Sequence, residues 1–117
     1  MMPEPRRGDI WKVDWSPVRG SEQSGIRPAL VVQLDSANSN PQYPNTILLA
    51  VSSKGKPVPF HIRIEPTLEN GLLNVSYVKC EQIMTCDKAR LVAYWGHLTG
   101  NEMMQVEKAL KIILALK

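Results

Sequence analysis

The sequence predicts a mainly β domain with some α (α+β), built as a small, strongly curved, partly open barrel closed by one C-terminal helix. Three observations predict it. Short apolar or alternating runs recur between residues 9 and 98, separated by stretches carrying Gly, Pro, Ser and Asn. The period changes once, after Thr99, to helical spacing. The chain has 117 residues and no internal repeat, low-complexity tract or linker, so residues 1–117 read as a single domain.

Each element has its own signal. Residues 9–15 alternate, with Trp11, Val13 and Trp15 toward a core and Lys12 and Asp14 toward water, giving a half-buried strand. Residues 16–26 are rich in Ser, Gly and Pro and read as a loop. The apolar run 28–34 suits a more buried strand. A polar loop at 35–44 separates it from another apolar strand at 45–52, and 53–57 form a basic turn. Phe60, Ile62 and Ile64 then alternate with His61, Arg63 and Glu65. Residues 74–80 and 81–86 read as extended, 87–91 as a single helical turn, and 92–98 as a last short strand. Thr99 lies three residues before Glu102, the spacing of a capping box. Met103, Val106, Leu110 and Ile113 follow on one face, predicting an amphipathic helix over 100–116.

Composition excludes several classes. The hydrophobic fraction is 44% and the formal net charge +3, with a pI near 9.0. That is a mild basic bias, compatible with a polyanionic partner without identifying one. Residues 1–9 contain no apolar stretch for a secretory signal, and no run approaches the roughly 18 apolar residues of a membrane span. A cytoplasmic protein with no membrane role is expected. Cys80 and Cys86, six residues apart on one strand, would be separated by about 20 Å. A disulfide needs α-carbons within roughly 7 Å, so two free thiols are expected. His61 and His97 have no close cysteine pairing, so no metal is expected either.

Candidate chemistry is scattered. Arg27 precedes Pro28 where a loop enters a buried strand, a place where scaffolds display functional groups; taken alone, an Arg there is more often a surface or ion-pair residue. Ser52 ends a strand and is followed by Ser53, Lys54 and Lys56. A hydroxyl beside ammonium groups suits phosphate oxygens, and a polar strand terminus opening a turn suits the same residues. His61 has the side chain best matched to acid–base work, though alternation gives it a solvent-side or hydrogen-bonded place. His97 carries less. Tyr43, Phe60 and Tyr77 could stack bases, with Arg19, Lys54 and Lys56 on phosphates, although core packing explains most such aromatics.

Taken together, ordered segments are more specific than any of these. Arg7-Gly8-Asp9-Ile10-Trp11, Asp14, Pro17, Gly20-Ser21-Glu22-Gln23 and Arg27-Pro28 resemble the opening of the MazF/PemK family, the toxin halves of type II toxin–antitoxin pairs. The resemblance continues through Leu30-Val31-Val32, the strand ending in Ser52, Glu81-Gln82-Ile83, Asp87-Lys88, Arg90-Leu91, Gly96-His97-Leu98 and the terminal helix.

The resemblance implies an SH3-like barrel of the CcdB/MazF type with a C-terminal helix, working as a homodimer. It implies a sequence-specific endoribonuclease that cuts single-stranded RNA, leaving 2′,3′-cyclic phosphate and 5′-hydroxyl ends without metal or cofactor. It also implies a MazE-like antitoxin whose acidic C-terminal tail occupies the RNA groove. The family's catalytic arginine falls on Arg27, and its strand-end hydroxyl, commonly threonine, falls on Ser52. Ser21, Gln23 and Gln82 are then base or phosphate readers, and Ser53, Lys54 and Lys56 are further RNA contacts. Two other readings are a toxin of similar fold that poisons DNA gyrase through its C-terminal helix, and a catalytically silent RNA-binding module.

Overall fold

The computed structural model describes residues 4–15 and 26–117. Among the described residues, six antiparallel strands form one unclosed sheet in the order β4-β5-β3-β2-β1-β6. They are β1 (Asp9–Asp14), β2 (Ile26–Val31), β3 (Asn45–Ser52), β4 (His61–Ile64), β5 (Ser76–Asp87) and β6 (Leu91–His97); helices α1 (Asp35–Asn38) and α2 (Gly100–Ile113) complete the fold. The mainly β class with a C-terminal helix is therefore as expected.

Both faces of the sheet carry apolar clusters. Ile10, Leu30, Leu49, Val51 and Val78 lie on the face covered by α2, which contributes Val106 and Ala109. Val13, Ala29, Val31, Leu48, Cys86 and Leu91 form the second cluster, with Trp11 and Trp15 packed against it. The alternation along 9–15 thus points to this second core, while Ile10 serves the first. Helix α2 starts where the sequence places it. Thr99 Oγ accepts the Glu102 amide at 3.1 Å, and Glu102 Oε1 accepts the Thr99 amide at 2.8 Å.

Four boundaries differ from the sequence reading. Residues 35–44 are not all loop, because α1 forms there; Lys88, 3% exposed, donates its ammonium to the carbonyls of Ala37, Asn38 and Asn40. A cation at the C-terminal carbonyls stabilises a turn too short to stand alone. Strand β2 spans Ile26–Val31 and not 28–34, since the chain leaves the ladder to enter α1. The two extended segments at 74–86 are one bent strand, β5. Its pairing with β3 jumps from Leu49↔Ile83 to Ala50↔Lys79, so residues 80–82 bulge out of that ladder. Helix α2 ends at Ile113, where Leu114 caps it and Ala115 turns at φ 58.

Both cysteines are buried and free on β5, as expected from their spacing. Among the described residues, no helix is long and apolar enough to cross a membrane.

Candidate active site

Arg27 and Ser52 come together through strand register. Strands β2 and β3 pair as Ala29↔Ala50, Leu30↔Leu49 and Val31↔Leu48. Continued by two residues, that register sets Arg27 across from Ser52. The ladder stops at Ala29 because Pro28 has no N–H to give to β3. On its other side β2 stays paired with β1, Pro28 opposite Lys12 and Arg27 opposite Val13. The sheet therefore parts at Pro28 and Val51. An open depression of about 290 Å³ occupies the gap, lined by Arg27, Pro28, Val51, Ser52, Ser53, Leu72, Leu73, Asn74, Ser76 and Trp95.

The two polar groups are presented differently. Arg27 is exposed, and among the described residues no hydrogen bond or ion pair engages its guanidinium. Ser52 Oγ accepts the Lys54 amide at 3.1 Å, which orients the hydroxyl and leaves its proton free to donate. The arrangement offers a planar cationic fork and a hydroxyl donor to one anionic group.

The far wall is a non-local construction. Asn70, 1% exposed, organises the turn: its Oδ1 accepts the amides of Thr67 and Leu72 at 3.0 Å each, and its Nδ2 donates to the Glu65 carbonyl at 2.8 Å. Gly71 follows at φ 70, where an added Cβ would sit 2.2 Å from the Trp95 carbonyl oxygen. An added Cβ on Gly96 would lie 2.1 Å from the Glu69 carbonyl oxygen. These two glycines let the turn lie flat on β6 and bring Leu72, Leu73 and Asn74 beside Trp95. Sequence reading missed this wall; Asn70-Gly71 was its only local sign.

Of the other sequence candidates, Ser53 lines the depression, and Lys54 and Lys56 stand exposed in the adjoining loop. Gln82 is exposed in the β5 bulge and does not line the depression, while Ser21 and Gln23 lie outside the described residues. His61 is on β4, away from the depression, with its side chain 4% exposed. Its Nδ1 accepts the Lys56 amide at 3.0 Å, and its Nε2 faces Glu81 Oε2 at 2.9 Å. Burial alone would raise the Glu81 carboxyl. The hydrogen bonds from His61 and the backbone, with the attraction of His61 and Lys79, nevertheless hold it below its ordinary value. His97 Nδ1 pairs with the Tyr94 hydroxyl at 3.1 Å.

The aromatics serve packing more than display. Gly55 presses on the Tyr77 ring, where an added Cβ would meet Cγ at 2.2 Å. Phe60 packs against the main core with its ring edge-on to His61. Tyr43 is 56% exposed but lines a separate hollow beside Lys88. Among the described residues, no group of three His, Cys, Asp or Glu could hold a metal ion.

Comparison with known proteins agrees along nearly the whole chain. The chain is 39% identical over 114 residues to the Endoribonuclease MazF of Staphylococcus epidermidis, covering 95% of this chain and 92% of that one. An endoribonuclease from Mycobacterial species superposes with a TM-score of 0.79 at 22% identity, covering 98% of this chain and 95% of the other. The MazE-MazF structure (Form-II) from Deinococcus radiodurans gives 0.80 at 23% identity, covering 98% and 99%. These two likenesses are of fold. The model of the PemK-like, MazF-like toxins of type II toxin–antitoxin systems matches residues 6–114, and the chain belongs to that family.

Proposed function

We propose that this toxin is a sequence-specific endoribonuclease that cuts single-stranded RNA with Arg27 and Ser52, without metal or cofactor. The observation that carries the reading is that these two side chains line one depression where the sheet parts. The relative of 39% identity named as an endoribonuclease supports it.

The RNA supplies its own nucleophile. Its 2′-oxygen attacks the adjacent phosphorus, forming the 2′,3′-cyclic phosphate as the P–O5′ bond breaks. The 2′ proton passes to water, and water returns one to the departing 5′-oxygen, leaving a 5′-hydroxyl. Arg27, through the fixed donors of its guanidinium, stabilises the phosphoryl oxygens as negative charge gathers there. Ser52 donates one further hydrogen bond to a non-bridging oxygen. Lys54 and Lys56 attract the backbone, and Ser21, Gln23, Ser53 and Gln82 contact RNA beyond the cut. The partners are a second copy of the chain and a MazE-like antitoxin whose acidic C-terminal tail competes for the same basic groove; the protein works in the cytoplasm.

The test is to incubate purified protein and a long unstructured RNA with EDTA and map the new 5′ ends. Discrete cuts after a shared short motif, bearing 5′-hydroxyls, are expected. Arg27→Ala should remain folded and lose about 10²–10³ in rate, the usual cost of one such donor. Ser52→Ala should lose less. Intact RNA from folded parent protein, or full cleavage by the Arg27 variant, would overturn the reading.

A further inference from the structure

Resting on that ribonuclease reading, we propose that His61 is a positioning residue that fixes the basic loop 53–57 beside Ser52, and that it takes no part in proton transfer. Both ring nitrogens are already committed. Nδ1 accepts from the Lys56 amide, so the ring proton resides on Nε2, which donates to the Glu81 carboxylate at 2.9 and 3.0 Å. The side chain is nearly closed to solvent, and the depression holding Arg27 and Ser52 is lined by other residues.

The Lys56 contact makes His61 one of three fastenings of the loop. Lys54 is held at its amide by Ser52 Oγ, Gly55 by the face of the Tyr77 ring, and Lys56 at its amide by His61. Tyr77 is itself the β5 partner of Ser52. Five consecutive residues are thus fastened at three points, to Ser52 on β3, Tyr77 on β5 and His61 on β4. Glu81 can reach His61 because residues 80–82 bulge from the β3 ladder while Lys79 remains paired with His61. The charged groups around the ring are Glu81, Lys79 and Lys56. Two exposed ammonium groups on a loose loop would spread their charge over many positions, and ordering them would weaken RNA binding. With the backbone of the loop fixed in advance, less of that cost falls on binding.

A glutamine at this position discriminates between the two roles. Its amide holds an acceptor and a donor side by side, as neutral imidazole does, but it shuttles no proton near neutral pH. The experiment compares the parent, His61→Gln and His61→Ala in three readouts. These are cleavage kinetics with a pH profile, the salt dependence of binding to an RNA made uncleavable by a 2′-deoxy sugar at the cut, and hydrogen exchange at the Lys56 amide. His61→Ala should lose Lys56 protection and raise KM several-fold, with kcat within about threefold of the parent and an unchanged pH profile. Its salt slope should become shallower by as much as about 1.4, two phosphate contacts at roughly 0.7 each. His61→Gln should restore all three toward the parent.

Equal collapse of kcat in both variants, with loss of one limb of the pH profile, would overturn the proposal in favour of acid–base catalysis. Parental behaviour of His61→Ala in every readout would overturn it as well. Should His61→Ala fail to fold, Glu81→Ala loosens the same bracket from its other side and should shift the same readouts in the same direction. If the parent itself cuts no RNA, the ribonuclease reading fails. Exchange at Lys56 and the salt slope then decide separately whether His61 fixes the loop.

Discussion

Removing the Asn70 side chain should cost both stability and activity. Three hydrogen bonds end on it, from the amides of Thr67 and Leu72 and to the carbonyl of Glu65, at 2.8–3.0 Å and almost without solvent. At about 1 kcal/mol each, Asn70→Ala should destabilise the protein by about 3 kcal/mol. Water entering the vacated space would lower that toward 2, and leaving the Leu72 amide unsatisfied would raise it. Urea unfolding followed by tryptophan fluorescence reads the change directly, because Trp95 stands beside the turn. The midpoint should fall with little change in slope. Cleavage by the still-folded fraction should fall too, since Leu72, Leu73 and Asn74 form one wall of the depression. A loss below about 1 kcal/mol would refute the reasoning, showing that the turn holds its shape without its central amide.

Three other outcomes are expected. Thr99→Ala removes the acceptor of the Glu102 amide and should cost about 1 kcal/mol, lowering Tm by several degrees in a thermal scan; an unchanged Tm would mean the capping box adds nothing here. Glu81 is held below its ordinary value, so its contribution is present above about pH 4.5 and is lost as pH falls through the lower folded value. The urea midpoint of the parent should therefore exceed that of Glu81→Gln near neutrality and converge with it in acid, and a gap that widened in acid would reverse the assignment. Burial pushes the Cys80 thiol up to about 12 and Cys86 up to about 11. Ellman's reagent at pH 8 should label neither in the folded protein and both in urea, and rapid labelling without denaturant would show that β5 opens.

What was legible in the sequence was what local pattern encodes. The run 45–52 is strand β3 to the residue, and Thr99 with Glu102 marks the start of α2. The one-turn α1 had no apolar period to announce it, and it depends on an ammonium from Lys88, fifty residues away. Arg27 and Ser52 could be named from resemblance, but their adjacency follows from the β2–β3 register and from Pro28 ending that ladder. Trp95, Leu73 and Asn74 carried no local mark of a site, because it is Gly71 and Gly96 that allow their segments to touch. His61 stood out as a proton carrier on its side chain alone. Glu81, twenty residues on, is what turns it into a fastening.

The pairing of β1 with β6 bears on when this protein becomes dangerous to the cell that makes it. Asp9 lies opposite His97, and the Leu98 amide donates to the Gly8 carbonyl, so the edge of β1 away from β2 stays unpaired until β6 is synthesised. Trp95, one wall of the depression, arrives at the same late stage. A nascent chain stopped before Leu91 has β2 and β3, and so both Arg27 and Ser52, but neither the strand that completes the sheet beyond β1 nor that wall. Toxicity should therefore switch on only once β6 has been made. Ribosome-bound chains halted at residue 90 should be harmless to RNA, whereas chains extended by a linker past residue 117 should cut it while still attached.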